Sequence, residues 1–180
     1  KTVDLRTVLS EDCRLSILTF DDEQGKAAFR HTTSHILAQA VKRLYPETKL
    51  AIGPSICDGF YYDFDAAVPF TQADLSQIEQ EMKKIVMESL ALEKFVLPKK
   101  EAVQLMSEKG ESYKVELIEA LDDEKEISFY RQGEYVDLCA GPHLMNTKQV
   151  KAFKLTSVAG AYWRGSEKNK MLTRIYGTAF

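Results

Sequence analysis

The chain has 180 residues, 44% of them hydrophobic and 28% charged, with a net charge of −3, enough apolar material for one core plus a small appendage. No stretch approaches the ~20 consecutive apolar residues of a membrane helix, and the opening KTVDLRTVLSEDCRL lacks the apolar block of a signal peptide. Cys13, Cys57 and Cys139 are odd in number and widely spaced, which excludes a disulfide framework and fits a reducing cytoplasm.

In chain order, residues 1–20 read as short strands ending in Leu15-Ser16-Ile17-Leu18. They are too few to fold alone, and are expected to be the tail of a preceding domain, with residues 21–180 as the domain proper. After the polar turn Asp21–Gly25, residues 26–45 are predicted as a helix stopped before Pro46. Thr48–Ile52 and Phe60–Asp65 should be strands around turns at Gly53-Pro54-Ser55 and Asp58-Gly59. Thr71 with Asp74 resembles a capping box, and Leu75, Ile78, Met82, Ile85 and Val86 carry helical spacing to about Leu90. Phe95–Leu97 should be a strand, Glu101–Lys109 a helix closed by Gly110, and Ser112–Leu121 a further helix. A hairpin is expected from Ile127–Arg131 and Glu134–Leu138, then strands at Ala152–Ser157, Ala161–Arg164 and Met171–Tyr176. This order implies an α+β domain with a largely antiparallel sheet and packed helices.

The net charge hides an asymmetry. Residues 148–180 hold seven Lys or Arg and one acid, a local +6 that leaves −9 elsewhere. With Tyr162, Trp163 and Tyr176 among the charges, this tract could follow a nucleic-acid backbone and stack on bases, or could be a solvated strand face.

All three histidines fall into two short patterns, His31 and His35 as HxxxH on the first helix and Cys139 and His143 as CxxxH in the loop DLCAGPH. At about 100° per residue, His31 and His35 share one helix face. Phe29, Ile36, Leu37, Ala40, Val41 and Leu44 cluster opposite, so the two histidines are expected off the core stripe, beside Ala38 and Lys42. Gly141 and Pro142 should turn the chain and put Cys139 and His143 on one side. Spacing leaves three chemistries open: a tetrahedral zinc site, a Cys139–His nucleophile–base pair, or a pocket that binds substrate and orders a water.

The segments HTTSHILAQAVKRLYP, AIGPSICDGFYYDFD, GESYKVELI, YVDLCAGPH and FKLTSVAGAYWRGSEKNKMLTRIYGTAF together resemble the second N-terminal domain of bacterial-type threonyl-tRNA synthetases, over essentially the whole chain. Residues 1–20 resemble the end of the small ubiquitin-like domain before it. The resemblance implies the α+β fold of the threonyl/alanyl-tRNA synthetase second additional domain. It also implies post-transfer editing, hydrolysis of the ester of seryl-tRNA(Thr). A synthetic site cannot exclude serine strongly, because a missing methyl is worth only ~1–3 kcal/mol. Carried over by motif, the catalytic residues would be His31, His35, Lys114 (of GESYKV), Cys139 and His143. Tyr62 (of GFYYD) and Asp137 would bind substrate, with Asp137 on the side of Cys139 and able to hold the ammonium group. The partners implied are the acceptor end of tRNA(Thr) and the catalytic and anticodon-binding domains of the full-length synthetase. No cofactor is expected here; zinc is possible but not favoured, unlike in the alanyl relatives, and the motifs for ATP, Mg and the synthetic zinc are not found in the sequence. A free-standing metal-dependent deacylase of the alanyl type and a non-catalytic tRNA-binding module are the rival readings.

Overall fold

The computed structural model describes residues 1–123 and 125–180. Helix α1 (Glu23–Leu44) begins three residues earlier than expected and ends before Pro46. Glu23 in its first turn and Lys42 and Arg43 in its last complement the helix dipole. The one-sided stripe expected of α1 is wrong: residues from Thr32 through Val41 are buried without a break. The helix is covered on both sides, so Ala38 and His35, the face read as outside the core, are as buried as Ile36 and Leu37.

On one side of α1 lies a five-stranded antiparallel sheet. It comprises β1 (Lys49–Leu50), β2 (Ser55–Ile56), β3 (Gly59–Asp65), β7 (Phe153–Tyr162) and β8 (Met171–Ala179), in the order β1-β3-β8-β7 with β2 also on β3. Phe60, Tyr62 and Phe64 alternate inward from β3 and meet Ile36, Leu37 and Val41 of α1 and Leu75, Ile78, Met82 and Ile85 of α2 (Asp74–Glu88) in the main core. Each fully buried side chain of this size is worth about 1.5–3 kcal/mol against exposure. Asp74 reaches back to Thr71, as the sequence suggested, accepting from Thr71 N at 2.7 Å and Oγ1 at 2.8 Å.

The other side of α1 faces β4 (Leu92–Leu97), β5 (Ile127–Gln132) and β6 (Tyr135–Leu138), a separate antiparallel sheet. Its far face packs on α3 (Lys99–Glu108) and α4 (Ser112–Glu119) through Phe129, Ile127, Ala102, Met106 and Ile118. Period-two alternation on β6 sends Val136 and Leu138 into that smaller core. Tyr135, and Asp137 on the same face, then point toward α1 and β3. The described residues are thus two antiparallel sheets with packed helices, an α+β fold.

Three local expectations need correction. Residues 1–20 form no strand; they run as an extended, mostly exposed segment whose Arg6 guanidinium donates to the carbonyls of Leu92 and Met145. Ser55 lies in a strand, because Ser55-Ile56 folds back on β3 through the turn at Asp58. Ala152–Ser157 and Ala161–Arg164 merge into β7, which keeps pairing with β8 across an irregularity between Leu155 and Ser157, and Trp163–Gly165 is a 3-10 turn.

One polar clasp ties α1 to the second sheet. Gln39 Nε2 donates to the carbonyl of Gln132 at 3.2 Å, and Gln132 Nε2 returns a bond to Gln39 Oε1 at 2.6 Å, with both residues buried. Replacing Gln39 with Leu strands the Gln132 amide, so the chain should lose about 1–3 kcal/mol of unfolding free energy. A urea titration measures this; an unchanged midpoint would show that the clasp carries no stability.

Candidate active site

The expected residues converge between α1, β3, β6 and α4. His31 and His35 lie one turn apart on α1, and the loop after β6 carries Cys139 and His143. The ring centroids of His35 and His143 are 4.2 Å apart, and those of His31 and His143 4.4 Å. The loop closes because Gly141 takes φ +74°, and a β-carbon there would stand 2.1 Å from the hydroxyl of Tyr130. Cys139 Sγ lies 3.2 Å from His143 Nε2 and 3.6 Å from His31 Nε2, and accepts from Gly141 N at 3.2 Å.

The tautomer of His143 follows from its partners. Thr32 Oγ1 donates to the carbonyl of Ala28 at 2.8 Å, so its lone pairs receive Leu144 N–H and His143 Nδ1–H, each at 3.0 Å. The bare Nε2 of His143 then faces the Cys139 thiol. This looks like a nucleophile and its base, but the electrostatics oppose it. Burial pushes the Cys139 thiol up to about 12. Burial also holds His31 down to about 4 and His35 and His143 well below 6.5, with the neighbouring histidines adding to the latter two. At neutral pH the group is one thiol and three neutral imidazoles, not a thiolate–imidazolium pair.

Behind His35 lies a second polar layer. Lys114, on α4, is buried, and its Nζ is 2.6 Å from Asp137 Oδ1 and 3.1 Å from Tyr62 OH. Tyr62 OH and Tyr135 OH both donate to Asp137 Oδ2, at 2.7 and 2.8 Å. His35 Nε2 lies 3.8 Å from that same oxygen. Tyr62 both packs in the main core and bonds Asp137; its ring needs Gly53, where a β-carbon would lie 2.0 Å from a ring carbon. Glu111, just before α4, ties the start of that helix down, its carboxylate accepting from Leu50 N at 2.7 Å and pairing with Lys42 Nζ at 2.9 Å.

Two buried polar atoms here, His35 Nδ1 and Asp137 Oδ1, have no hydrogen-bond partner among the described residues, although Oδ1 keeps its ion contact with Lys114. A cleft of about 190 Å³ borders the cluster at His31 and is lined also by Ala27, Ala28, Ser55, Gly141 and Pro142. A larger one of about 450 Å³ touches His143 from the other side, partly roofed by Asp4, Arg6 and Thr7. Asp4 Oδ1 accepts from His143 N at 2.8 Å.

All seven expected residues are therefore within one connected cluster. Sequence reasoning missed Tyr135, Thr32 and Glu111. Tyr135 was legible from the alternation Tyr135, Asp137, Cys139; the other two act through contacts remote in sequence. One donor atom from each of His31, His35, Cys139 and His143 fall within 4.8 Å of one another. A tetrahedral zinc, with bonds of ~2.0–2.3 Å, needs donors about 3.3–3.8 Å apart. These four residues could hold such an ion after a closure of about 1 Å, and it would supply a polarised water.

The basic tract is less free than its composition suggested. Lys154, Arg164, Lys170 and Arg174 pair with Glu79, Glu116, Asp65 and Asp63, acids drawn from earlier in the chain. Lys148, Lys151 and Lys168 remain exposed.

Residues 127–176 match the family model for the threonyl and alanyl tRNA synthetase second additional domain. The chain is 66% identical over 98% of its length to a threonine–tRNA ligase of Acetivibrio thermocellus. It is 63% identical over its full length to those of Clostridium acetobutylicum and Caldanaerobacter subterraneus. It spans 28% of the length of each of these relatives.

Because the folded state keeps all three histidines neutral below their ordinary 6.5, unfolding takes up protons as the pH falls. Their contribution to stability should be complete above about pH 6.5 and lost as the pH falls from there toward 4. Urea midpoints at pH 7.5, 6 and 5 should decline in that order, and His143→Gln should flatten the trend. A midpoint constant over this range would contradict the buried neutral histidines.

Proposed function

Since the chain resembles, along its whole length, the part of bacterial-type threonine–tRNA ligases that carries the second additional domain, we propose that it hydrolyses the ester of mischarged seryl-tRNA(Thr). The observation that carries this reading is the convergence of His31, His35, Cys139 and His143, with donor atoms within 4.8 Å of one another, beside the buried Lys114–Asp137 pair. Water attacks the seryl carbonyl, the acyl–oxygen bond to the terminal ribose breaks, serine leaves, and the ribose hydroxyl recovers a proton. Neutral imidazoles in the cluster suit the taking and returning of that proton, and the Lys114 ammonium suits an oxyanion. Cys139 serves as a neutral lining group. Every polar group of serine is also in threonine, so discrimination must come from a clash with the extra methyl. His31, which lines the cleft, is the first candidate for the wall and Asp137 the second, and a small displacement of the ester from its water costs orders of magnitude in rate.

In this reading catalysis takes no metal. The Lys114 ammonium opposes a dication nearby. One observation favours a zinc-dependent deacylase instead, namely the four donors within 4.8 Å. Zinc-dependent activity, lost on chelation and restored by zinc, would establish that alternative.

The proposed setting is the cytoplasm, with the acceptor end of tRNA(Thr) as partner and the catalytic and anticodon-binding domains of a full-length synthetase beside it. No described helix is long and apolar enough to cross a membrane. We read residues 1–20 as the end of a preceding small domain, which fits their exposed Leu5, Val8, Leu15 and Ile17.

The test is single-turnover deacylation at saturating protein. Seryl-tRNA(Thr) should be cleaved at least about 100-fold faster than threonyl-tRNA(Thr); equal rates remove the proofreading assignment. Lys114→Met should lower the seryl rate by about 100-fold or more, as loss of an oxyanion donor does, while Cys139→Ala keeps most of it. A covalent seryl adduct on Cys139 would restore the nucleophile reading.

Binding should weaken with salt through release of counterions. Reversing Lys148, Lys151 and Lys168 to Glu should weaken tRNA binding and flatten its salt dependence, leaving hydrolysis of a minimal seryl-nucleoside unchanged. Equal losses on both substrates would place these lysines in the site rather than along the backbone.

A further inference from the structure

Asp137 is bonded asymmetrically. Its Oδ2 receives two phenolic hydroxyls, Tyr62 at 2.7 Å and Tyr135 at 2.8 Å. Its Oδ1 touches Lys114 Nζ at 2.6 Å and accepts no hydrogen bond among the described residues. Two donors on one oxygen fix the carboxylate plane and fill that oxygen's lone pairs. They also leave His35 Nε2 outside hydrogen-bond distance of it, at 3.8 Å. Lys114 has a second acceptor in Tyr62 OH at 3.1 Å, so it can remain in place while Oδ1 accepts from another cation.

Resting on the reading of the site as a seryl-tRNA hydrolase, we propose that Tyr135 is a positioning residue that presents Asp137 Oδ1 to the α-ammonium group of the ester. Tyr135 is placed for this by its own strand. It lies two residues before Asp137 on β6, projects from the same face, and is buried. Its ring stands edge-on to His35 with centroids 5.9 Å apart, so the side chain also borders the imidazole with the unpartnered Nδ1. Tyr62 holds the same oxygen from β3, across the junction. The carboxylate is clamped at Oδ2 from two elements, and its Oδ1 is held by Lys114 alone among the described residues. An ammonium group at Oδ1 would be fixed in direction by the clamp, which sets where the neighbouring ester carbonyl lies.

Removing the Tyr135 hydroxyl should let Asp137 turn, and should matter only for substrates that carry the amine. The experiment compares seryl-tRNA with glyceryl-tRNA, the same ester after nitrous acid has replaced its amine by a hydroxyl. In single turnover, Tyr135→Phe should slow the seryl reaction about tenfold or more, the scale of a hydrogen bond to a charged group, and change the glyceryl reaction less than about twofold. Replacing Tyr135 with 4-aminophenylalanine, which keeps a donor at the same place, should recover most of the seryl rate. This variant also tests the proposal if Tyr135→Phe does not fold: a seryl-to-glyceryl preference like that of the wild type supports it, and loss of that preference counts against it. Equal slowing of both esters by Tyr135→Phe would show a merely structural hydroxyl. An unchanged seryl rate would overturn the proposal while leaving the hydrolase reading intact, and a wild-type chain that cleaves neither ester removes the hydrolase reading itself.

Discussion

The arrangement turns on one buried carboxylate. Asp137 sits where β3, β6, α1 and α4 meet, and receives Tyr62 from β3, Tyr135 from β6 and Lys114 from α4. Burying an ion pair costs several kcal/mol per ion and is recovered only with close geometry and further hydrogen bonds. Here the two phenols supply those bonds. The surroundings serve that geometry: Gly53 makes room for the Tyr62 ring, and Glu111 pins the start of α4 to β1 and to Lys42. The strand alternation of β6 sends Asp137 and Tyr135 one way and apolar Val136 and Leu138 the other.

Above that layer, burial decides the chemistry of the histidines and the cysteine. A thiol 3.2 Å from an imidazole suggests a nucleophile, yet desolvation pushes both groups toward their neutral forms. Neutral imidazoles can exchange protons with a water without a covalent intermediate.

Much of this was legible in the sequence where the signal is local. Both short histidine patterns lie where their spacing put them. The alternation in YVDLC placed Asp137 and Cys139 on one face, and the hairpin from Ile127 to Leu138 paired as expected. What was missed depends on contacts distant in sequence. His35 was expected off the core stripe but is buried, and on the same helix Thr32 bonds His143 and Leu144 and Gln39 bonds Gln132. Lys114 is exposed by default, and only the resemblance drew attention to it. The basic tract looked free because the acids that pair with it lie 48 to 111 positions earlier. The strand expectation for residues 1–20 failed because no partner strand among the described residues pairs with their alternating apolar residues.

The most direct test of the central claim is the structure of the chain with a non-hydrolysable seryl ester mimic, 3′-(L-seryl)amino-3′-deoxyadenosine. The account predicts the seryl ammonium at Asp137 Oδ1, a polar atom of the ligand or its water at His35 Nδ1, and the β-carbon of serine against His31. A ligand seated outside the His31–His35–Asp137 cluster, with no ligand atom at Oδ1 or Nδ1, would contradict it.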